Sequence, residues 1–236
     1  YAPAMATQFT WLGHAAFRLD TPGGARVYVD PWLTGNPRCP ASELEPERAD
    51  LVLVTHGHGD HVGDAVAITR RFACPLVAQV ELRGALGEEL GGDQDMQHAI
   101  NKGGSVDVAG LHVSMTHANH SSSGADGRYL GESCGYVLEA EGMPTVYVAG
   151  DTNVFGDMAL IRRIYAPQVA VLPIGDHFTM GPREAAVAAE LAGAARVVPS
   201  HYGTFGLLTG TVEALRPLLP AGIEVLAPEP GETVEL

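Results

Sequence analysis

The stretch Leu51-Val52-Leu53-Val54-Thr55-His56-Gly57-His58-Gly59-Asp60-His61 joins a short apolar run to a turn that carries three histidines and an aspartate. An unbroken run of branched apolar residues suits a strand covered on both faces, as in a parallel sheet flanked by helices. The H-x-H-x-D-H pattern at its carboxyl end has an expected chance occurrence of about one in a thousand at this composition. Imidazole nitrogens and a carboxylate suit Zn²⁺ and its first-row neighbours. Gly57 and Gly59 are expected to make a tight turn that aims the intervening side chains at different points. Four ligand-type side chains in so short a loop exceed what one catalytic zinc takes from one segment, which points to two divalent ions. A solvated histidine-rich turn is the plain alternative.

Outward from this loop, strand-like and helix-like runs alternate. Upstream, 8–12, 16–20 and 26–30 read as strands, with Pro22-Gly23-Gly24 turning the chain between the last two. Downstream, helical periodicity covers 62–72 and 81–90, and strands follow at 105–108, 111–116, 135–139 and 145–148. A helix over 157–165, an apolar strand over 169–173, a helix over 183–192 opened by Pro182, a strand over 196–199 and a last helix over 212–218 complete the α/β pattern. Apolar strands end in polar residues at Asp30, His56, Asp151, Asp176 and His201. Sites in α/β architectures form at the carboxyl ends of strands, so these residues are expected to share one site.

The 236 residues are 46% hydrophobic and 18% charged, the composition of an ordinary globular protein, and the expected organisation is one domain over 1–236. A chain of this length buries about 70% of its unfolded surface without staples, so a metal here is expected to serve function rather than folding. Lys plus Arg number 14 against 28 Asp plus Glu, a net charge of −14, and the densest basic clusters are the pairs Arg70-Arg71 and Arg162-Arg163. Nucleic acid is therefore not an expected partner. Cys39, Cys74 and Cys134 form no C-x-x-C and no disulfide framework, and are expected to pack as small apolar residues. No stretch approaches the roughly 18 apolar residues of a membrane span, and the expected location is cytoplasmic. Met5 can serve as a natural start, in which case Tyr1–Ala4 are a cloning scar.

Together with Trp11-Leu12-Gly13-His14-Ala15-Ala16-Phe17, Val29-Asp30-Pro31, Ala118-Asn119-His120-Ser121-Ser122-Ser123, Gly150-Asp151-Thr152, Leu172-Pro173-Ile174-Gly175-Asp176, Phe178-Thr179-Met180-Gly181 and Pro199-Ser200-His201-Tyr202-Gly203-Thr204-Phe205, the loop resembles the metallo-β-lactamase superfamily over nearly the whole chain. More narrowly it resembles the metal-dependent hydrolase branch related to L-ascorbate 6-phosphate lactonase. The resemblance implies an αββα sandwich with a binuclear cleft along one edge. It places His56, His58 and His120 on one ion, Asp60, His61 and His201 on a second, and Asp151 between them with a water or hydroxide. His120 is favoured over His117 as the ligand from its loop. Zn²⁺ is the leading ion, with Mn²⁺, Fe²⁺ and Ni²⁺ compatible. Two such ions, two carboxylates and a hydroxide leave a cleft charge of about +1, which favours a small anionic substrate.

The chemistry implied is hydrolysis of an ester, lactone, amide or phosphodiester by the activated hydroxide. Asp60 or Asp151 is expected to orient it or carry a proton, and Tyr202, beside His201, to donate to an oxyanion. A packed tyrosine explains Tyr202 equally well. Asp30 is expected to support the metal loop by hydrogen bonding. His14 and His177 are candidates to line the cleft, and the loop 121–133 with Arg128 to close over it. His98 and His112 fit no pattern. A non-catalytic metal-binding or regulatory module is the runner-up, an iron oxidoreductase is a further alternative, and a homo-oligomer is compatible with the resemblance.

Overall fold

In a computed structural model that describes residues 6–92 and 96–236, two seven-stranded sheets lie face to face with helices on both outer surfaces. This is the αββα sandwich that the resemblance implied. Tyr1–Ala4 and Met5, with the expectation attached to them, lie outside the described residues.

The first sheet opens with an antiparallel meander of β1 (Gln8–Trp11), β2 (Phe17–Asp20) and β3 (Arg26–Val29). It continues in parallel through β4 (Leu51–Leu53), β5 (Leu76–Gln79) and β6 (Ala99–Ile100). The second repeats the plan with antiparallel β7 (Ser105–Val108), β8 (Leu111–His117), β9 (Cys134–Glu139) and β10 (Val146–Val148). Parallel β11 (Val169–Pro173), β12 (Arg196–Ser200) and β13 (Glu224–Val225) follow. The last strand, β14 (Thr233–Glu235), returns to pair antiparallel with β1.

Helices cross between the parallel strands: α1 (Gly59–Val62) and α2 (Ala65–Phe72) after β4, α3 (Val80–Glu89) after β5, and α4 (Met158–Tyr165), α5 (Pro182–Ala192) and α6 (Val212–Leu215) on the second sheet. The apolar run in β4 is double-sided for a visible reason. Leu51 and Leu53 point into the core between the sheets, where they join Phe17, Val29, Met115, Tyr136 and Val171. Val52 and Val54 point outward onto Ile68, Leu82 and Leu86 of α2 and α3. On the second sheet, Ala185, Ala186, Ala188, Ala189 and Ala192 give α5 a small-residue face buried against Ala170, Leu172 and Val197. Pro182 begins that helix, and Gly193 ends it in the left-handed conformation at φ 68°.

The expected helix over 62–72 is broken near its start: Val62 closes the short α1, and α2 begins only at Ala65. Gly63 interrupts it at φ 39°, where a Cβ would lie 2.3 Å from Trp32 Cα, so the chain turns sharply before α2 begins. Asp64 then holds the preceding loop by accepting from Leu33 N and Thr34 N at 2.9 and 2.8 Å.

The sheets are clasped at the end of β4. Cys134 N donates to Thr55 O at 3.1 Å, and the buried Tyr136 hydroxyl donates to Val54 O at 2.8 Å. The three cysteines carry free thiols; burial pushes that of Cys134 up to about 12, which suits a packed, inert side chain.

Candidate metal centre

At the carboxyl end of β4 the chain leaves the sheet between the two layers, and His56 and His61 are fully buried while His58 is partly open. Gly57 is required here: a Cβ would lie 2.9 Å from Leu130 Cδ1, and Gly57 N donates to Ser122 Oγ at 3.1 Å. Gly59 differs from the expectation. It starts α1 with open space around it, so sterics place no demand on that position.

Four of the five polar strand ends converge. His56 Nε2 and His58 Nδ1 lie 3.0 Å apart, and with His120 their ligand atoms fall within 4.8 Å of one another. A second group of the same dimensions contains His14, Asp60, His61 and His201, and a third contains His56, His61 and Asp151. Asp151 follows β10 through Gly150, where a Cβ would lie 2.5 Å from Cys134 O. Its Oδ2 lies 3.1 Å from His201 Nε2, 3.3 Å from His61 Nε2, 3.7 Å from His120 Nε2 and 3.9 Å from His56 Nε2.

Asp30 braces the loop from behind. Its Oδ1 accepts from Thr55 N at 2.8 Å, and its Oδ2 accepts from Thr55 Oγ1 at 2.7 Å and His61 Nδ1 at 2.8 Å. His61 is thus fixed with Nε2 facing Asp151, yet that nitrogen makes no aligned hydrogen bond, and neither does the buried His201 Nδ1. The orphaned His61 Nε2, 3.3 Å from the buried Asp151 carboxylate, is what a cation site requires; His201 faces Asp151 with its other nitrogen, Nε2.

The electrostatics agree. Burial, reinforced by the neighbouring His61, holds His56 well below its ordinary range, and burial lowers His58 and His120 as well. Neutral imidazoles offer the lone pairs that ligation needs. Burial opposes the charged forms of His61 and Asp151, but Asp151 and Asp30 raise His61 well above the usual value, while His201 and His61 hold Asp151 well below. At Asp60, too, burial works to raise the carboxyl, and the hydrogen bond from His14 with the charge of His61 pulls it below the usual carboxylate range. The donor set therefore fits divalent ions.

His117 ends β8 on the surface, with its Nδ1 3.2 Å from Lys102 Nζ and its ring edge-on to Phe155. It belongs to none of the three groups, whereas His120 does. The fifth strand end, Asp176, is exposed and stays outside the cluster. The chain runs two residues past β11, where Gly175 passes so close to His201 O that a Cβ would lie 2.0 Å from it, and then turns outward. Asp176 accepts from His177 N, and the exposed His177 sits edge-on to Phe178.

Tyr202 follows His201 but turns away from the cluster. Its ring stacks on Trp11 at 4.8 Å and 8°, and it lines a separate pocket with Arg38, Glu213, Arg216 and Glu229. Burial pushes its hydroxyl up to about 12. The expected oxyanion donor is thus a packed aromatic. Arg128 is exposed, 2.8 Å from Asp126 within its own hairpin and 3.8 Å from Glu88, and it lines a pocket with Gly57 and Gly59 of the metal loop. His112 pairs with Asp107 on the surface at 2.7 Å. The residue undervalued by sequence reasoning is His14: its place after Gly13 at a strand end gave a hint, but its contacts are with residues far along the chain.

A family profile described as the Beta-lactamase superfamily domain matches residues 25–202. The chain is 44% identical over 229 residues to a UPF0173 metal-dependent hydrolase of Koribacter versatilis, covering 96% of this chain and 97% of that protein. It is 43% identical to one of Thermococcus kodakarensis, covering 96% and 98% respectively. Among solved structures it is similar to Igni18, described as a metallo hydrolase from the archaeon Ignicoccus hospitalis, with a TM-score of 0.86, 36% identity, and coverage of 98% and 99%. No described helix is long and apolar enough to cross a membrane.

Proposed function

This chain belongs to the UPF0173 metal-dependent hydrolase family of the metallo-β-lactamase superfamily, and from that premise we propose that it is a binuclear hydrolase of small esters, lactones or phosphodiesters. His56, His58 and His120 would hold one ion, and Asp60, His61 and His201 a second, with Asp151 reaching toward both. The observation that carries this reading is the position of Asp151 Oδ2, which faces imidazole nitrogens of both groups at 3.1–3.9 Å. Divalent ions held there, with Zn²⁺ the first to test, would supply Lewis acidity and bring the pKa of water from 15.7 to about 7.

The chain's own side chains divide the remaining work. Asp151 is almost wholly enclosed and its carboxylate is fixed among histidines, so its part is to hold. The Asp60 side chain is 32% exposed, making it the carboxylate that substrate and solvent can meet; held below the usual range it is a weak base, and its part would be to orient the attacking water by accepting a hydrogen bond. Asp30 takes the Nδ1 hydrogen bond of His61, so Nε2 is the nitrogen that would meet an ion, giving up its proton on ligation. Tyr202 is left out of this reading, since its ring stacks on Trp11 and it lines a separate pocket.

Elemental analysis of the purified protein should find two divalent ions per chain, and fewer than one would overturn the binuclear reading. A metal-reconstituted screen over lactones, phosphodiesters, thioesters and other esters should reveal turnover. On the best substrate, Asp151→Ala should lose ions and at least about 100-fold in rate, since loss of even an outer partner costs 10–100-fold. Full metal content with no turnover on any class would favour the non-catalytic metal-binding module.

A further inference from the structure

We infer that His14 is a positioning residue: it presents Asp60 to the second ion by hydrogen bonding and is not itself a ligand, although it lies in the same group as Asp60, His61 and His201. The inference rests on the reading of those three residues as holders of that ion. His14 is fully buried at the turn between β1 and β2, with a left-handed backbone at φ 57°. Its carbonyl oxygen accepts from Trp11 Nε1 and from His201 N, both at 2.9 Å, so its main chain is tied to the segment that carries a proposed ligand. The ring lies against His201 at 3.9 Å between centroids and is bounded by the edges of Trp32 at 5.3 Å and Phe205 at 5.4 Å. It has little room to swing.

The ring's two nitrogens are both engaged, at 3.0 Å from Asp60 Oδ2 and 3.0 Å from Thr204 Oγ1. Proton accounting fixes the direction of each bond. An ionised carboxylate only accepts, so Nε2 carries the hydrogen and donates to Asp60. In the neutral ring Nδ1 is then the acceptor, and at 3.0 Å it is a nearer partner for the single Thr204 hydroxyl hydrogen than Tyr202 O at 3.3 Å. Nε2 therefore has no lone pair to give an ion, and the lone pair on Nδ1 points the other way.

Asp60, for its part, sits on the four-residue α1, and the bond from His14 is the one side-chain hydrogen bond it makes among the described residues. Without it, the carboxylate would be free to rotate about its own side chain. The order Thr204, His14, Asp60 thus passes orientation from the loop after β12 to the loop after β4.

The test is a chelator-competition titration with Zn²⁺ on the full chain, reading ions bound and both affinities, for wild type, His14→Ala, His14→Gln and Thr204→Val. Thermal unfolding without added metal checks the fold of each. His14→Ala should keep the first ion at wild-type affinity and bind the second about 10–100-fold more weakly. His14→Gln, whose amide N–H can reach Asp60, should recover most of that loss, and Thr204→Val should fall between wild type and His14→Ala. Wild-type affinity in His14→Ala overturns the inference. So does a folded His14→Gln as weak as His14→Ala, which would mark the imidazole as a ligand. Should His14→Ala fail to fold, Thr204→Val decides: a weakened second ion supports the relay, and an unchanged one overturns it. A wild-type chain that takes up no second ion overturns the metal-centre reading itself, and that failure shows in the wild-type arm alone.

Discussion

At the scale of single residues, the centre is built where the backbone is least comfortable. His14, Asp30 and His201 all adopt positive φ, at 57°, 45° and 54°, a region that costs a non-glycine residue on the order of 1 kcal/mol or more. Asp30 shows what that conformation gains, since its carboxylate accepts from Thr55 N, Thr55 Oγ1 and His61 Nδ1 at once. Asp30→Asn should leave the backbone content, because asparagine tolerates left-handed φ, but replaces one acceptor oxygen by a donor. Zn²⁺ titration should show affinity lower by about 10–100-fold, and urea unfolding a loss of about 1–3 kcal/mol. The metal loop was readable in the sequence because its donors are adjacent in the chain and carry their own chemistry. The directions of Tyr202, Arg128 and Asp176 were not legible, because neighbours in sequence fix a residue's place but not its direction. Trp11, Asp126 and the outward turn after Gly175 decide those directions, and each is a tertiary fact.

At the scale of elements, the strands that sequence reading located are mostly those with an apolar run covered on both sides or a clear alternation. The ones it passed over are chiefly edges: β6, β13 and β14 each end a sheet, two of them are two residues long, and an edge strand needs no continuous apolar run. β5 is internal but lasts only four residues before Gln79 caps α3 by accepting from Glu81 N. Other strands as short were legible; here no turn residue separates strand from helix, so the run has no boundary of its own. The bond from Tyr136 in β9 to Val54 O, just past β4, holds the two sheets together immediately behind the metal loop. Tyr136→Phe should therefore lower stability by about 1–2 kcal/mol in chemical denaturation, with the larger figure applying if Val54 O is left without a donor. Its effect on ions bound should be smaller than that of Asp30→Asn, because the hydroxyl touches backbone and no proposed ligand.

At the scale of the whole molecule, the alternation of strands and helices made the α/β class legible, while the αββα plan came with the family resemblance; the structure shows each sheet repeating one order, a meander followed by parallel crossovers, with polar residues after the parallel strands. Both layers contribute to the centre: the first sheet's loops give His14, Asp30, His56, His58, Asp60 and His61, and the second's give His120, Asp151 and His201. Ions that bind only this assembled set stabilise the folded state by mass action. Stripping them with a chelator should lower the unfolding temperature by about 5–15 °C, taking about 2.7–4.1 kcal/mol of linkage at 100–1,000 times Kd. Readdition of Zn²⁺ should restore it.

Because the donors are divided between the sheets, they also leave the ribosome at different times. A ribosome emits residues from the amino terminus, so His56, His58, Asp60 and His61 emerge while Asp151 and His201 are still uncoded chain. The proposed donor set is complete only with His201, just past β12 and bonded through its N to His14 O, in place. Loading at full affinity is therefore a late event in the life of each chain, and the uptake of a coloured ion such as Co²⁺ would report arrival of the finished molecule.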